Sequence, residues 1–269
     1  MARGSWSISI AFFGFHHILM FLNVCAIVVW SILLAGCSSS NGLRNVYLIS
    51  LSYKSKGTAP LTDPLQVNPS ISDTFSSALS HSNSTIQQIN ISHMSICIQL
   101  LSDAWICGSN AQDLVNDIKG DPQSDPFNLV WVADKFQSES TFYPLYFIAI
   151  VFTFVSIFLL ATFPGWTEEE DSDGSDREIK PFPSRPVSYA ALALSTIAAL
   201  FSFISVFWQH IASACALTLF EALTYDTVEV HVGPAAMVCG WFGFGVICIT
   251  SLGLYMLIAS IKILTELID

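Results

Sequence analysis

Seven cysteines and six histidines are the side chains with the widest chemical repertoire in this chain, and two of the cysteines stand in a usable pattern. Cys97 and Cys107 flank Trp105. The runs Ile96–Leu101 and Ala104–Ile106 are apolar and partly β-branched, so two short strands joined by a turn near Leu101–Asp103 are expected. Cysteines opposed on such a hairpin come within the roughly 5.5–6 Å Cα separation that a disulfide needs. Two buried free thiols would fit the same letters. The choice rests on the compartment, because disulfides persist in oxidising spaces. A second repeating group is Asp113, Asp117, Asp121 and Asp125, one carboxylate every four residues. Oxygen ligands suit calcium, but the spacing matches no EF-hand, and a solvated acidic face is the plainer reading. No metal-ligand cluster, phosphate-binding Gly-rich loop or nucleophile elbow occurs. An enzyme is not expected, and neither a cofactor nor a metal site is read from the sequence.

The elements that position these residues are set by hydropathy. Of 269 residues, 52% are hydrophobic and 12% charged, about half the usual ~25% charged fraction of a soluble domain. The apolar residues cluster in four windows, each long enough at ~17–25 residues to cross a bilayer as a helix. These are residues 10–36, 142–163, 187–223 and 234–264. An α-helical membrane protein with a four-helix bundle follows. The first window has a small-residue Ala35-Gly36-Cys37 end that resembles a signal cleavage region, but its apolar run exceeds a usual signal h-region. It is expected to remain as the first span. His16, His17 and Asn23 fall within or near it, with the histidines expected at the headgroup level. Few other ionisable residues accompany the spans, namely His210, Glu221 and Lys262. A pore normally needs polar groups at mid-membrane, so a channel-forming subunit is the least expected reading. The net charge of −11 argues against nucleic acid as a partner.

Between the first two windows lies a long polar stretch, residues 37–141. Leu43–Tyr53 reads as a strand. Residues 54–84 are rich in Ser, Thr, Pro and Asn and read as a variable loop or poorly ordered insertion. Asn83 and Asn90 each head a glycosylation sequon. Ala111–Ile118 is a plausible short helix, with cap candidates in Gly108-Ser109-Asn110 and Asp113 in its first turn. Phe127–Ala133 is an apolar core leading to the second window, and Trp131, Phe136, Phe142, Tyr143 and Tyr146 gather there as an expected interface belt. Residues 164–186 form an acidic loop holding Glu168–Asp171, expected to be solvated. The third window would run about 55 Å as a helix, well beyond a ~30 Å hydrocarbon core, and should project at its Glu221 end. Residues 224–233 are a short link, and 265–269 a tail. Small residues in the last window, Gly240, Gly243, Gly245 and Gly253, permit close helix packing.

Orientation follows from basic residues in the short loops. The 164–186 loop has three Lys or Arg and the 224–233 link none. Both termini and the acidic loop are therefore expected in the cytoplasm, and residues 37–141 outside. That agrees with the sequons and puts Cys97 and Cys107 where a bond persists, so a disulfide is expected. Trp105 beside it is expected to be a core aromatic packed on the bridge.

Four spans, a large cysteine-bridged first loop, a short second one and an extended third helix resemble the claudin-like superfamily, although claudins place Gly-Leu-Trp before the first cysteine. A closer resemblance is to the fungal pheromone-induced tetraspan proteins of the low-affinity calcium-influx system, the calcium regulator and membrane fusion family. It is carried by A-G-C-S-S-S at 35–40, N-V-Y-L-I-S-L-S-Y at 45–53, the block of Cys97 with Trp105-Ile106-Cys107-Gly108-Ser109, and D-P-F-N-L-V-W-V-A-D-K-F at 125–136. This family usually carries Gly-aromatic-Gly before its first cysteine, where Ser92–Ile96 stands here. The resemblance marks Gly36, Cys37, Ser38, Tyr53, Trp105, Gly108, Asp125, Pro126 and Trp131 as motif positions. It implies a multi-pass plasma-membrane glycoprotein, made during mating, that promotes calcium influx and cell fusion as a regulator, adhesion or scaffold component. The alternative is a claudin-like structural protein that organises membrane domains or cell contacts. Expected partners are membrane lipid, sterol included, other copies of the chain as a dimer, or other proteins of the calcium-influx machinery.

Overall fold

A computed structural model describes residues 14–39, 42–54, 68–81, 84–118, 125–164, 167–170, 176–179, 183–225 and 227–268. In chain order the elements are α1 (Phe15–Leu34), β1 (Ile49–Tyr53), α2 (Pro69–His81), β2 (Ile86–Ile91), β3 (Ile96–Leu100), β4 (Trp105–Gly108), α3 (Ala111–Asp117) and α4 (Leu129–Lys135). After a π-helical stretch, Phe136–Ser140, come α5 (Pro144–Ala161), β5 (Thr167–Glu170), β6 (Asp176–Ile179), α6 (Arg185–Leu223), β7 (Val228–Val232) and α7 (Pro234–Ile268). The described residues divide into a mostly helical unit, within 14–30, 145–203 and 242–268, and a sheet unit, within 31–144 and 204–241.

Four helices, α1, α5, α6 and α7, are long and apolar enough to cross a membrane. In the helical unit their packing is inverted relative to a water-soluble core. Small and hydroxyl residues are buried, among them Ala26, Ala149, Thr153, Ala191, Ala198 and Thr250, while Phe21, Val151, Phe158, Leu200 and Leu252 are exposed. Lipid is as apolar as leucine, so such helices associate through close packing and interhelical hydrogen bonds. Both occur here. Ser156 Oγ and Ser195 Oγ are 2.9 Å apart between α5 and α6. The buried Trp30 indole lies against Gly243, where an added Cβ would meet Nε1 at 2.2 Å. His16, at the start of α1, is buried beside Phe163, and Asn23 is fully buried.

The sheet unit holds a five-stranded antiparallel sheet ordered β4-β3-β2-β1-β7. Side chains alternate between faces, and the register sorts them cleanly. One face carries Val228, Val230 and Val232, Ile49 and Leu51, Ile89 and Ile91, Ile96 and Ile98, and Ile106. The other carries Ser50 and Ser52, Gln88 and Asn90, Cys97 and Gln99, and Trp105 and Cys107. Burying the apolar face drives the sheet's formation.

Several expectations need correction. The 224–233 link contains β7, which pairs along the whole of β1. The first strand begins at Ile49 rather than Leu43, because Leu43 closes a turn, its carbonyl accepting from Cys37 N and Val46 N. The 54–84 insertion contains α2, with Asn68 Oδ1 accepting from Ser70 N at its start, while 55–67 and Asn83 lie outside the described residues. Within the acidic 164–186 loop, β5 and β6 pair as a hairpin, so part of the segment is ordered by backbone pairing.

Candidate functional site

Three neighbouring features of the sheet unit gather most of the motif residues. The first is the disulfide edge. Cys97 on β3 and Cys107 on β4 are direct register partners and are bonded. The segment bearing Cys37 and Arg44 folds over this polar face. Cys37 O lies 3.4 Å from Cys97 Sγ, and Cys37 Sγ lies 3.7 Å from Asn90 O. Burial pushes the Cys37 thiol up to about 12, so it stays protonated and inert towards the neighbouring disulfide at neutral pH. Gly36 is required by close approach, because an added Cβ would meet Val46 O at 2.3 Å and Ser92 Oγ at 2.4 Å. Ser38 is exposed and donates its N–H to Ala35 O. Gly108 sits at the end of β4, where an added Cβ would crowd the Leu114 side chain at 3.3 Å.

Two sequence expectations change at this edge. Asn90 is 1% exposed, and its Nδ2 donates to Arg44 O at 3.0 Å. A glycan there is incompatible with this fold. Trp105 is half-buried, not a core ring. Its face is covered by the Arg44 guanidinium, 5.4 Å from the ring centroid, a cation–π contact. Cys215 is exposed and Cys239 half-buried, both as free thiols.

The second feature is an acid-capped corner. Asp125 Oδ1 accepts from Leu129 N at 2.8 Å and Oδ2 from Val130 N at 3.0 Å. Its carboxylate thus satisfies the orphan N–H groups at the start of α4. The Tyr53 hydroxyl donates to the same carboxylate and accepts from Phe127 N at 3.2 Å. Burial foremost, with the Asp125 charge beside it, pushes the Tyr53 hydroxyl above its ordinary value, so it remains a donor. Pro126 occupies the turn after Asp125, and Asn128 takes the left-handed conformation at φ 55°. Phe75 of α2 packs on Phe127 and on Tyr225, with ring centroids 5.3 and 5.8 Å apart. The four-residue acidic period is therefore not one site: Asp113 and Asp117 lie on α3, Asp125 caps α4, and Asp121 falls outside the described residues. Among the described residues no group of three or more His, Cys, Asp or Glu has a metal-holding arrangement.

The third feature is an apolar groove of about 530 Å³ between α4 with its π-helical continuation and the 204–223 part of α6, lined by Trp131, Val132, Phe136, Trp208, Ile211 and Leu219 among others. Trp131 is 54% exposed and Lys135 Nζ stands 5.9 Å from its ring centroid. Trp208 Nε1 donates to Ser140 O at 2.9 Å, tying α6 to the π-helical stretch. Of the expected aromatic belt, Trp131, Phe142 and Tyr143 are exposed, whereas Phe136 and Tyr146 are buried.

Sequence reasoning missed His93. It sits on the β2–β3 turn, is 2% exposed, and its Nε2 lies 3.2 Å from Gln209 Oε1 of α6. Gln209 Nε2 in turn donates to Ala236 O of α7. Gln137 Nε2 donates to Ser92 O on the same turn. Burial pulls the His93 imidazole down to about 4, so it is neutral and locks the turn to two helices. The one available signal was a lone His in an otherwise apolar, hydroxyl-rich turn.

Inverted helical packing and a disulfide-bearing sheet define the class: a multi-pass membrane protein with a folded, sheet-bearing unit. Its family is fixed by comparison with known proteins. The chain belongs to the family described as Ca2+ regulator and membrane fusion protein Fig1, whose model matches residues 74–260, about seven-tenths of the sequence. The family resemblance drawn from the sequence is thereby borne out, with the blocks at 97–109 and 125–136 inside the matched residues and those at 35–40 and 45–53 before them. Among curated proteins no match to the chain is found. The family description names calcium regulation and membrane fusion rather than an enzymatic activity.

Proposed function

We propose that this chain is a plasma-membrane protein that promotes calcium influx and membrane fusion between mating fungal cells, acting as a regulator or adhesion component rather than as the pore. The observation that carries the reading is the composite sheet. Two segments, separated in sequence by two of the four long helices, α5 and α6, build one antiparallel sheet, which requires both to lie on one side of the membrane. That arrangement is claudin-like in plan, and it supports a disulfide outside, where the bond persists. Both termini and the acidic loop then lie in the cytoplasm, in keeping with the Lys and Arg bias of the short loops.

The Trp131 groove is the contact surface in this reading, open to membrane lipid, a second copy or another protein of the influx machinery. Exposed aromatic anchors carry much of the energy of such contacts. The test compares Trp131→Ala with wild type for surface abundance and for cell fusion. Normal abundance with reduced fusion is the expected result. Unchanged fusion at normal abundance would remove the groove from the function.

A further inference from the structure

Of the ten Lys and Arg in the chain, α1, α5, α6 and α7 together contain two, Arg185 and Lys262. Both line the same cavity, about 300 Å³ in volume, where the start of α6 meets the end part of α7. Ser188, Tyr189, Ile258 and Glu266 also face it. In a chain of net charge −11, two cations on separate helices converging on one cavity call for an anion. The first-turn N–H groups of the 39-residue α6 add the positive end of its dipole there. One carboxylate lines the cavity as well. Glu266 Oε1 is 3.9 Å from Lys262 Nζ, and both side chains are exposed at 67% and 70%, the range in which surface pairs are worth little.

We propose that this cavity binds the phosphate-bearing headgroup of an anionic membrane lipid. Arg185 and Lys262 take the phosphate oxygens, and the Tyr189 hydroxyl adds a polar contact at the rim; the buried Ser188 hydroxyl is held by Ser184 O. A lipid fits better than a soluble anion because of the surface beside the cavity. Ile258 and Ile261 form the apolar part of its wall, and Tyr255, about one turn before Ile258 on α7, is more than half exposed, so acyl chains lie there while the headgroup occupies the cavity. Basic pockets between spanning helices are the usual receptors for such headgroups. The orientation proposed above bears only on which leaflet supplies the lipid.

The full chain, taken from vesicles of phosphatidylcholine containing a minor fraction of a phosphatidylinositol phosphate, is analysed by native mass spectrometry for retained lipid. The phosphoinositide should be retained in preference to phosphatidylcholine. Each surface cation is worth about fivefold, so combined Arg185→Gln and Lys262→Gln should cut retention roughly twentyfold. Glu266→Gln, which removes the competing carboxylate, should raise it severalfold. Equal retention of both lipids by wild type overturns the proposal, as does unchanged retention in the folded double variant. Should the double variant not fold, the absence of any gain in Glu266→Gln overturns it. Displacement of the lipid by an equal concentration of water-soluble inositol phosphate would overturn the lipid assignment in favour of a soluble phosphate.

Discussion

At the residue scale, Asp125 joins the most structure per side chain. Both its oxygens serve backbone N–H groups of α4, and one also takes the Tyr53 hydroxyl. Removing a cap costs about 1–2 kcal/mol, and leaving a buried hydroxyl unpaired adds to that. Asp125→Ala should therefore lower the thermal midpoint of the purified chain, and Tyr53→Phe should lower it less. His93 gives a pH signature. Its native value of about 4 lies below the usual 6.5, so the unfolded chain takes up a proton that the folded chain refuses. The contribution is fully present above pH 6.5 and is lost as pH falls from 6.5 towards 4, on the order of 3 kcal/mol in all. Melting curves across that window should show the slope, and His93→Asn should flatten it. For glycosylation, Asn90→Gln should leave electrophoretic mobility unchanged, since Asn90 is buried in the sheet; a faster-running Asn90→Gln protein would contradict that placement. The D-P-F-N-L-V block was visible in the sequence as a motif. Its reason was not, because the partner that gives Asp125 its role, Tyr53, is 72 residues away.

At the scale of elements, the β3–β4 hairpin was legible because its signals are local: two β-branched runs, a turn and opposed cysteines. The same holds for α3, whose cap Asn110 accepts from Gln112 N. Strand β7 was legible in principle, since V-E-V-H-V alternates with period two, but a five-residue strand is stable only against a partner, and β1 lies far back in the chain. Helix α2 was hidden by its serines and threonines, which favour loops in isolation. Its hydroxyls instead bond to carbonyls a turn back, as Thr74 to Ser70 O, and Phe75 supplies the tertiary anchor. Two tests follow. The Cys97–Cys107 bond closes a short loop worth roughly 3 kcal/mol, so Cys97→Ser should reduce surface delivery, and the linked peptide should appear in non-reducing mass spectrometry of wild type. Gly233→Ala places a Cβ 1.7 Å from Tyr47 O, so it should disrupt the β1–β7 edge and lower abundance more than Trp105→Ala, whose ring is half-buried under Arg44.

For the whole molecule, hydropathy alone set out the four spans, because an apolar run of ~20 residues has few other fates. The division of labour between the helices and the sheet unit needed coordinates, since it depends on where buried hydroxyls, small residues and exposed aromatics fall in space. Family membership ties that architecture to calcium regulation and membrane fusion. The most direct test is cytosolic calcium imaging of mating cells that lack the chain, with and without re-expression of the wild-type protein. A calcium rise that is lost on deletion and restored by wild type, with cell fusion recovering alongside, is the predicted result. Equal calcium rises and equal fusion in the presence and absence of the protein would contradict it.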